Sequence, residues 1–102
     1  MARFALDTGA TESAVNWDVM VLIGYDPAVV SERVRMTTGS GVEFAPEITV
    51  EKIAALGQEH QNFPILCHTL PPSAIVGGLL GLDFFRGHRL VVDFRAGLVI
   101  VE

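Results

Sequence analysis

Apolar positions fall along this chain in short bursts, most of them alternating with polar ones and bounded by glycine, proline or small polar residues. Alternation puts every second side chain on one face of a strand, so the pattern predicts many short strands and little helix. Arg3 to Leu6 reads as the first strand. Val15, Val19 and Leu22 fall at helical spacing, which predicts a short helix over Trp17 to Ile23 with Asn16 as N-cap and Gly24 ending it. Only packing would hold so short a helix. In Ser31 to Met36 and again in Val42 to Phe44, apolar and polar residues alternate about a polar tip, Thr37 to Gly41, which predicts a hairpin. Pro46 restricts the returning strand to an edge or a bulge, and Ile48 to Ile53 resumes the alternation.

Beyond this, Gly57 to Asn62 reads as a polar turn and Phe63 to Leu70 as a strand interrupted by Pro64. Pro71-Pro72-Ser73 is a loop. Ile75-Val76 leads through Gly77-Gly78 to Leu79-Leu80-Gly81, and Asp83 is placed to cap one helical turn, Phe84 to Gly87. His88 to Phe94 and Leu98 to Val101 read as strands, the last one buried, joined by Arg95-Ala96-Gly97 with glycine at the left-handed position. The sum is one compact, mainly-β domain over residues 1–102 with one or two short helices.

Composition narrows the partners. Half of the 102 residues are hydrophobic and mean hydropathy is +0.44, which is apolar for a self-contained chain of this size and points to a buried subunit interface. A net charge of −5, with basic residues that form no stripe, argues against nucleic acid as partner. The single cysteine, Cys67, allows no intramolecular disulfide and reads as an apolar filler. No run is long enough to span a membrane and the N-terminus lacks a signal-peptide pattern, so membrane contact by this segment is not expected. A cytoplasmic location is favoured, with a soluble fragment of a longer or membrane-anchored protein as the alternative.

The chemistry concentrates in Asp7-Thr8-Gly9-Ala10. The apolar run Phe4-Ala5-Leu6 delivers a carboxylate, a hydroxyl, a glycine and a small residue in order, as a strand would that ends in a tight loop displaying Asp7. His60, His68 and His88 lack metal-ligand spacing, so neither a metal nor another cofactor is expected. Cys67 and His68 are adjacent and point to opposite faces of a strand, which disfavours a nucleophilic pair. The paired glycines are followed by no Lys-Ser/Thr, so they make no phosphate loop.

Asp7-Thr8-Gly9 together with Gly78-Leu79-Leu80-Gly81-Leu82-Asp83-Phe84-Phe85 resembles the retropepsin-like aspartic proteases, the single-domain family that includes the retroviral enzymes. The small helix, glycine and proline of Asn16 to Pro27 are similar to its bacterial and cellular members. The resemblance implies a small, closed, barrel-like acid protease fold, with Leu79, Leu80, Gly81 and Asp83 as its structural motif. Thr8 matches the hydroxyl that bonds across the family's dimer axis, Gly9 lets the backbone approach the carboxylate, and Thr37, Thr38, Gly39, Ser40, Gly41 and Val42 stand where the substrate-covering flap would be. Leu82 takes a position where retroviral members often carry arginine, so any ion pair of that arginine is missing. The family normally has a longer strand and turn before its catalytic strand, whereas six residues precede Asp7 here, as expected of a fragment.

Aspartic proteolysis needs two carboxylates sharing a proton. Asp18, Asp26, Asp83 and Asp93 are followed by Val, Pro, Phe and Phe, so none offers a second Asp-Thr-Gly. The expectation is therefore an aspartic endopeptidase whose dyad forms across a homodimer, acting on a peptide or protein substrate with Asp7 as catalytic residue. Apolar pocket residues, Ile75, Val76 and Leu98 or neighbours, would set side-chain preference. Ala10 cannot donate a side-chain hydrogen bond, which predicts a less acidic activity optimum than in members with Ser or Thr there. The competing expectation is a non-catalytic dimerisation or peptide-binding module on the same fold.

Overall fold

The structure is a computed structural model that describes residues 2–38, 41–70 and 75–102. Its elements are β1 (Phe4–Leu6), β2 (Ala14–Asn16), α1 (Trp17–Leu22), a 3-10 turn (Pro27–Val29), β3 (Arg33–Thr38), β4 (Gly41–Ala55), β5 (Gln58–His68), β6 (Gly78–Leu80), α2 (Leu82–Phe85), β7 (Leu90–Asp93) and β8 (Leu98–Val101). The mainly-β fold expected from the pattern is what forms. Six strands in the order β1-β6-β2-β5-β4-β3 make one sheet, curled into a half-barrel, and β7 and β8 make a separate two-stranded sheet. β6 runs between β1, to which it is parallel, and β2, to which it is antiparallel. The core gathers around Val15, Met20, Ile48, Val50, Phe63, Ile65, Cys67, Leu80, Phe84 and Phe85.

Pro46, expected to confine its strand to an edge or a bulge, and Pro64, expected to interrupt one, both lie inside continuous strands, for the same reason. β4 runs unbroken over 15 residues because its ladder to β3 ends at Pro46 and its ladder to β5 begins at Glu47. The Glu47 N–H points to the β3 side, where it reaches Glu32 O at 3.1 Å, so the missing N–H of Pro46 belongs to the side where no partner has yet begun. Pro64 sits opposite Thr49, and its nitrogen faces the β2 side two residues before that ladder starts at Leu66. Neither proline removes a ladder bond.

Other boundaries differ for local reasons. The polar turn expected over Gly57 to Asn62 is only Leu56-Gly57, between the paired Ala55 and Gln58, and both have positive φ (53° and 76°). The polar residues after it belong to β5. Asn16 forms the end of β2 and makes no side-chain cap on α1; its Oδ1 is buried without a hydrogen-bond partner. Gly81, not Asp83, takes the N-cap position of α2, which starts at Leu82. β8, expected to be buried, is largely exposed, and Gly97 takes the left-handed φ of 69° expected in the turn before it. Pro71-Pro72-Ser73 lies outside the described residues.

Candidate active site

The Asp7 loop begins where β1 stops pairing. Leu6 is the last residue in register with Leu80, and the Asp7 N–H then donates to Leu80 O at 2.9 Å. The chain turns back at once. Gly9 N–H donates to Asp7 Oδ1 at 3.0 Å and Ala10 N–H to Asp7 O at 3.1 Å, an Asx turn inside a backbone turn. Asp7 is half-buried while Thr8 and Gly9 are exposed. A Cβ on Gly9 would lie 3.3 Å from Asp7 Oδ1, so a side chain there would press on the carboxylate. Ala10 is half-buried and brings no polar side-chain atom.

The loop packs on the C-terminal motif. Leu82 N–H donates to Ala10 O at 2.8 Å and Asp83 N–H to Thr11 O at 3.2 Å. Gly81 is buried, and a Cβ there would lie 2.8 Å from both Ala10 O and Glu12 O, backbone atoms that cannot swing aside. Gly78 has the same need, since a Cβ would lie 2.6 Å from Ala14 O and 2.5 Å from the Phe4 ring. Leu79 pairs with Ala5 on one side and Ala14 on the other, so the strand threads beside the loop. The Asp83 carboxylate crosses to Ser13, accepting its N–H at 2.9 and 3.0 Å and its hydroxyl at 2.6 Å. Sequence reasoning assigned no role to Ser13; its one signal is a small polar residue immediately before the apolar Ala14-Val15.

The remaining predicted residues lie elsewhere. Thr37 pairs with Val42 and Thr38 with Gly41, so β3 and β4 form the expected hairpin, whose tip residues Gly39 and Ser40 lie outside the described residues. β1, which leads into the loop, and β3, which leads into the hairpin, are the two edge strands of the sheet. A cavity of about 840 Å³ is lined mainly by apolar residues including Phe4, Leu6, Met20, Ile53, Leu56 and Val99. Asp7 does not line it, and neither do Ile75, Val76 or Leu98; Ile75 and Leu98 are 80% and 55% exposed. The cavity's polar lining side chains are Tyr25, Glu51 and Lys52.

Three further groups have structural surroundings. His60 Nε2 lies 2.9 Å from Phe84 O, with its ring packed on Phe63 and Phe84. Cys67 is buried, which pushes its thiol up to about 11 and leaves it neutral. The Glu47 carboxyl is raised above the ordinary value, first by burial and then by the charges of Glu12 and Glu32. Among the described residues no group of histidine, cysteine and carboxylate side chains could hold a metal ion.

The sequence model of a family described as gag-polyprotein putative aspartyl protease matches residues 1–87. The chain belongs to this family. No curated protein sequence matches it significantly. Among solved structures, the crystal structure of a retropepsin-like aspartic protease from Rickettsia conorii superposes with a TM-score of 0.75 at 23% identity, over 98% of this chain and 72% of that one. That likeness establishes a shared fold. In this aspartyl protease family member, the half-barrel carries one loop with one ordered carboxylate, on a backbone that leaves the side of Thr8 and Gly9 open.

Proposed function

We propose that the protein is an aspartic endopeptidase that works as a homodimer, with the two Asp7 carboxylates as its acid/base dyad. One observation carries the reading: the single Asp-Thr-Gly loop is ordered and accessible, with Asp7 Oδ1 held by the Gly9 N–H at 3.0 Å. One such carboxylate cannot act as both base and acid, so a second copy must bring its own. Two carboxylates at the axis cannot both ionise, and their proximity separates their pKa values. The ionised one takes a proton from a water, whose oxygen attacks the scissile carbonyl. The protonated one hydrogen-bonds that carbonyl oxygen and stabilises the charge developing on it. Collapse of the tetrahedral intermediate breaks the C–N bond, and a dyad proton passes to the leaving amine.

Support for the dimer comes from the surface. Phe94, Leu98 and Ile100 of the β7–β8 hairpin are 93%, 55% and 42% exposed, an apolar stretch that a second copy would cover. Thr8, exposed beside Asp7, is the hydroxyl that would bond across the axis. Thr37, Thr38, Gly41 and Val42, with Gly39 and Ser40 at the tip, would close over an extended peptide whose backbone pairs with the hairpin. The test is cleavage of a diverse peptide library by wild type and Asp7→Asn, with the oligomeric state recorded. Cleavage by a dimer, abolished by Asp7→Asn, is expected. Cleavage that survives the substitution, or that comes from a strict monomer, would sink the dyad; a stable dimer that cleaves nothing at any pH would favour a binding module.

A further inference from the structure

Ser13 has no exposed surface, and it is the buried polar residue among those described. All of its polar atoms are committed. Its N–H reaches both Asp83 carboxylate oxygens, and its hydroxyl donates to Asp83 Oδ1 at 2.6 Å. The same hydroxyl accepts the Gly81 N–H at 2.9 Å, and the Ser13 carbonyl accepts the Leu66 N–H at 3.1 Å. One residue thus ties the exit of the Asp7 loop to α2, to the end of β6 and to β5. The 2.6 Å bond to the carboxylate lies in the short, charge-assisted range.

The loop between Asp7 and Ser13 has little slack. Its entry is held at Leu80 O, its middle by Leu82 and Asp83 N–H groups, and Gly81 leaves no room for even a methyl group against Ala10 and Glu12. The position of Asp7 therefore depends on both ends of the loop. The entry is fixed by the sheet; at the exit the Ser13 carbonyl bonds β5, and the Ser13 hydroxyl and N–H with the Asp83 carboxylate hold the loop to α2.

We propose that Ser13 is a positioning residue for Asp7: bridging Asp83 and Gly81, it locks the exit of the loop against α2 and so sets where the catalytic carboxylate stands. This rests on the protease reading. Two carboxylates that must share a proton tolerate little displacement. Loss of the hydroxyl strands the Gly81 N–H and removes the shortest donor to Asp83, while Asp7, Thr8 and Gly9 keep their chemistry.

The test combines steady-state kinetics on a peptide that wild type cleaves with backbone amide hydrogen exchange, for wild type, Ser13→Ala, Ser13→Thr, Asp83→Asn and Asp7→Asn. Ser13→Ala should lower kcat by roughly 10- to 100-fold, the scale of a small misplacement of reacting groups, with KM nearly unchanged. Ser13→Thr keeps the hydroxyl and should recover most of that loss. Asp83→Asn keeps an acceptor without the charge and should fall between, which preserves the test if Ser13→Ala folds poorly. In exchange, the Asp7, Gly81 and Leu82 amides should lose protection in Ser13→Ala while the β4–β5 ladder keeps it. An unchanged kcat, unchanged exchange in the loop, or equal loss of protection throughout β4 and β5 would overturn the proposal. If wild type cleaves nothing, or Asp7→Asn leaves cleavage intact, the protease reading has failed instead, and the exchange pattern alone decides the role of Ser13.

Discussion

Asp7 is held by backbone rather than by a side-chain donor, and this gives the site a testable pH behaviour. Gly9 N–H bonds Oδ1, and Ala10 adds nothing polar. In Ala10→Ser, a hydroxyl able to donate to the ionised carboxylate should favour the charged form. The base then stays ionised to lower pH, so the acidic limb of the pH–rate profile should move down; an unmoved limb would show that residue 10 does not reach the dyad. Glu47 gives a prediction for stability. Its carboxyl is raised above 4.5 by burial, with Glu12 and Glu32 adding repulsion. A raised carboxyl holds its proton more tightly folded than unfolded, so the charged form destabilises the protein at neutral pH and the penalty fades as pH falls through the raised value. Glu47→Gln should therefore raise Tm at neutral pH and lose that advantage below the ordinary value of 4.5, as thermal unfolding across pH would read. The motif around Asp7 was legible in sequence because all its parts are neighbours. Ser13 was not, because its partner Asp83 is 70 residues away and a serine before an apolar run looks like any strand entry.

The strands show where pattern suffices and where it does not. Alternation located β3 and parts of β4, because one face of each packs or pairs with a period of two, and continuous apolar runs located β7 and β8. Pattern could not say that Pro46 and Pro64 are harmless, since that depends on which neighbouring strand lies on the side of the missing N–H. It also gave Leu98 to Val101 a buried face that the fold withholds, because apolar content cannot tell a strand covered by its own chain from one left bare. The β4–β5 turn carries a strain that composition hides. Leu56 adopts φ 53° beside Gly57 at φ 76°, a conformation that suits Asn-Gly and disfavours leucine. Leu56→Asn should stabilise the protein by about 1 kcal/mol, by relief of the left-handed penalty. Denaturant unfolding with an unchanged m-value and a higher midpoint is the expected result, and a lower midpoint would mean that the side chain of Leu56 matters more to the apolar cavity it lines than its backbone strain costs.

The apolar excess seen in composition reappears on the whole molecule as surface. Leu98 and Ile100 alternate with Val99 and Val101 along β8, so they share a face, and both are exposed while Val101 packs against the core. Ile100→Asp should leave the fold intact and weaken self-association, read as a halved mass in sedimentation at a concentration where wild type is dimeric; an unchanged mass would move the interface elsewhere. The family assignment and the half-barrel fold fit the proposed site, in which two copies each supply one carboxylate. Mixing wild type with Asp7→Asn tests this most directly, after the chains have been allowed to exchange at fixed total concentration. If the dyad forms across the dimer, only pairs of wild-type chains cleave, and activity should fall as the square of the wild-type fraction, to about one quarter in an equal mixture. Activity that falls in simple proportion, to about one half, would mean that each chain acts alone and would rule out a dyad shared between chains.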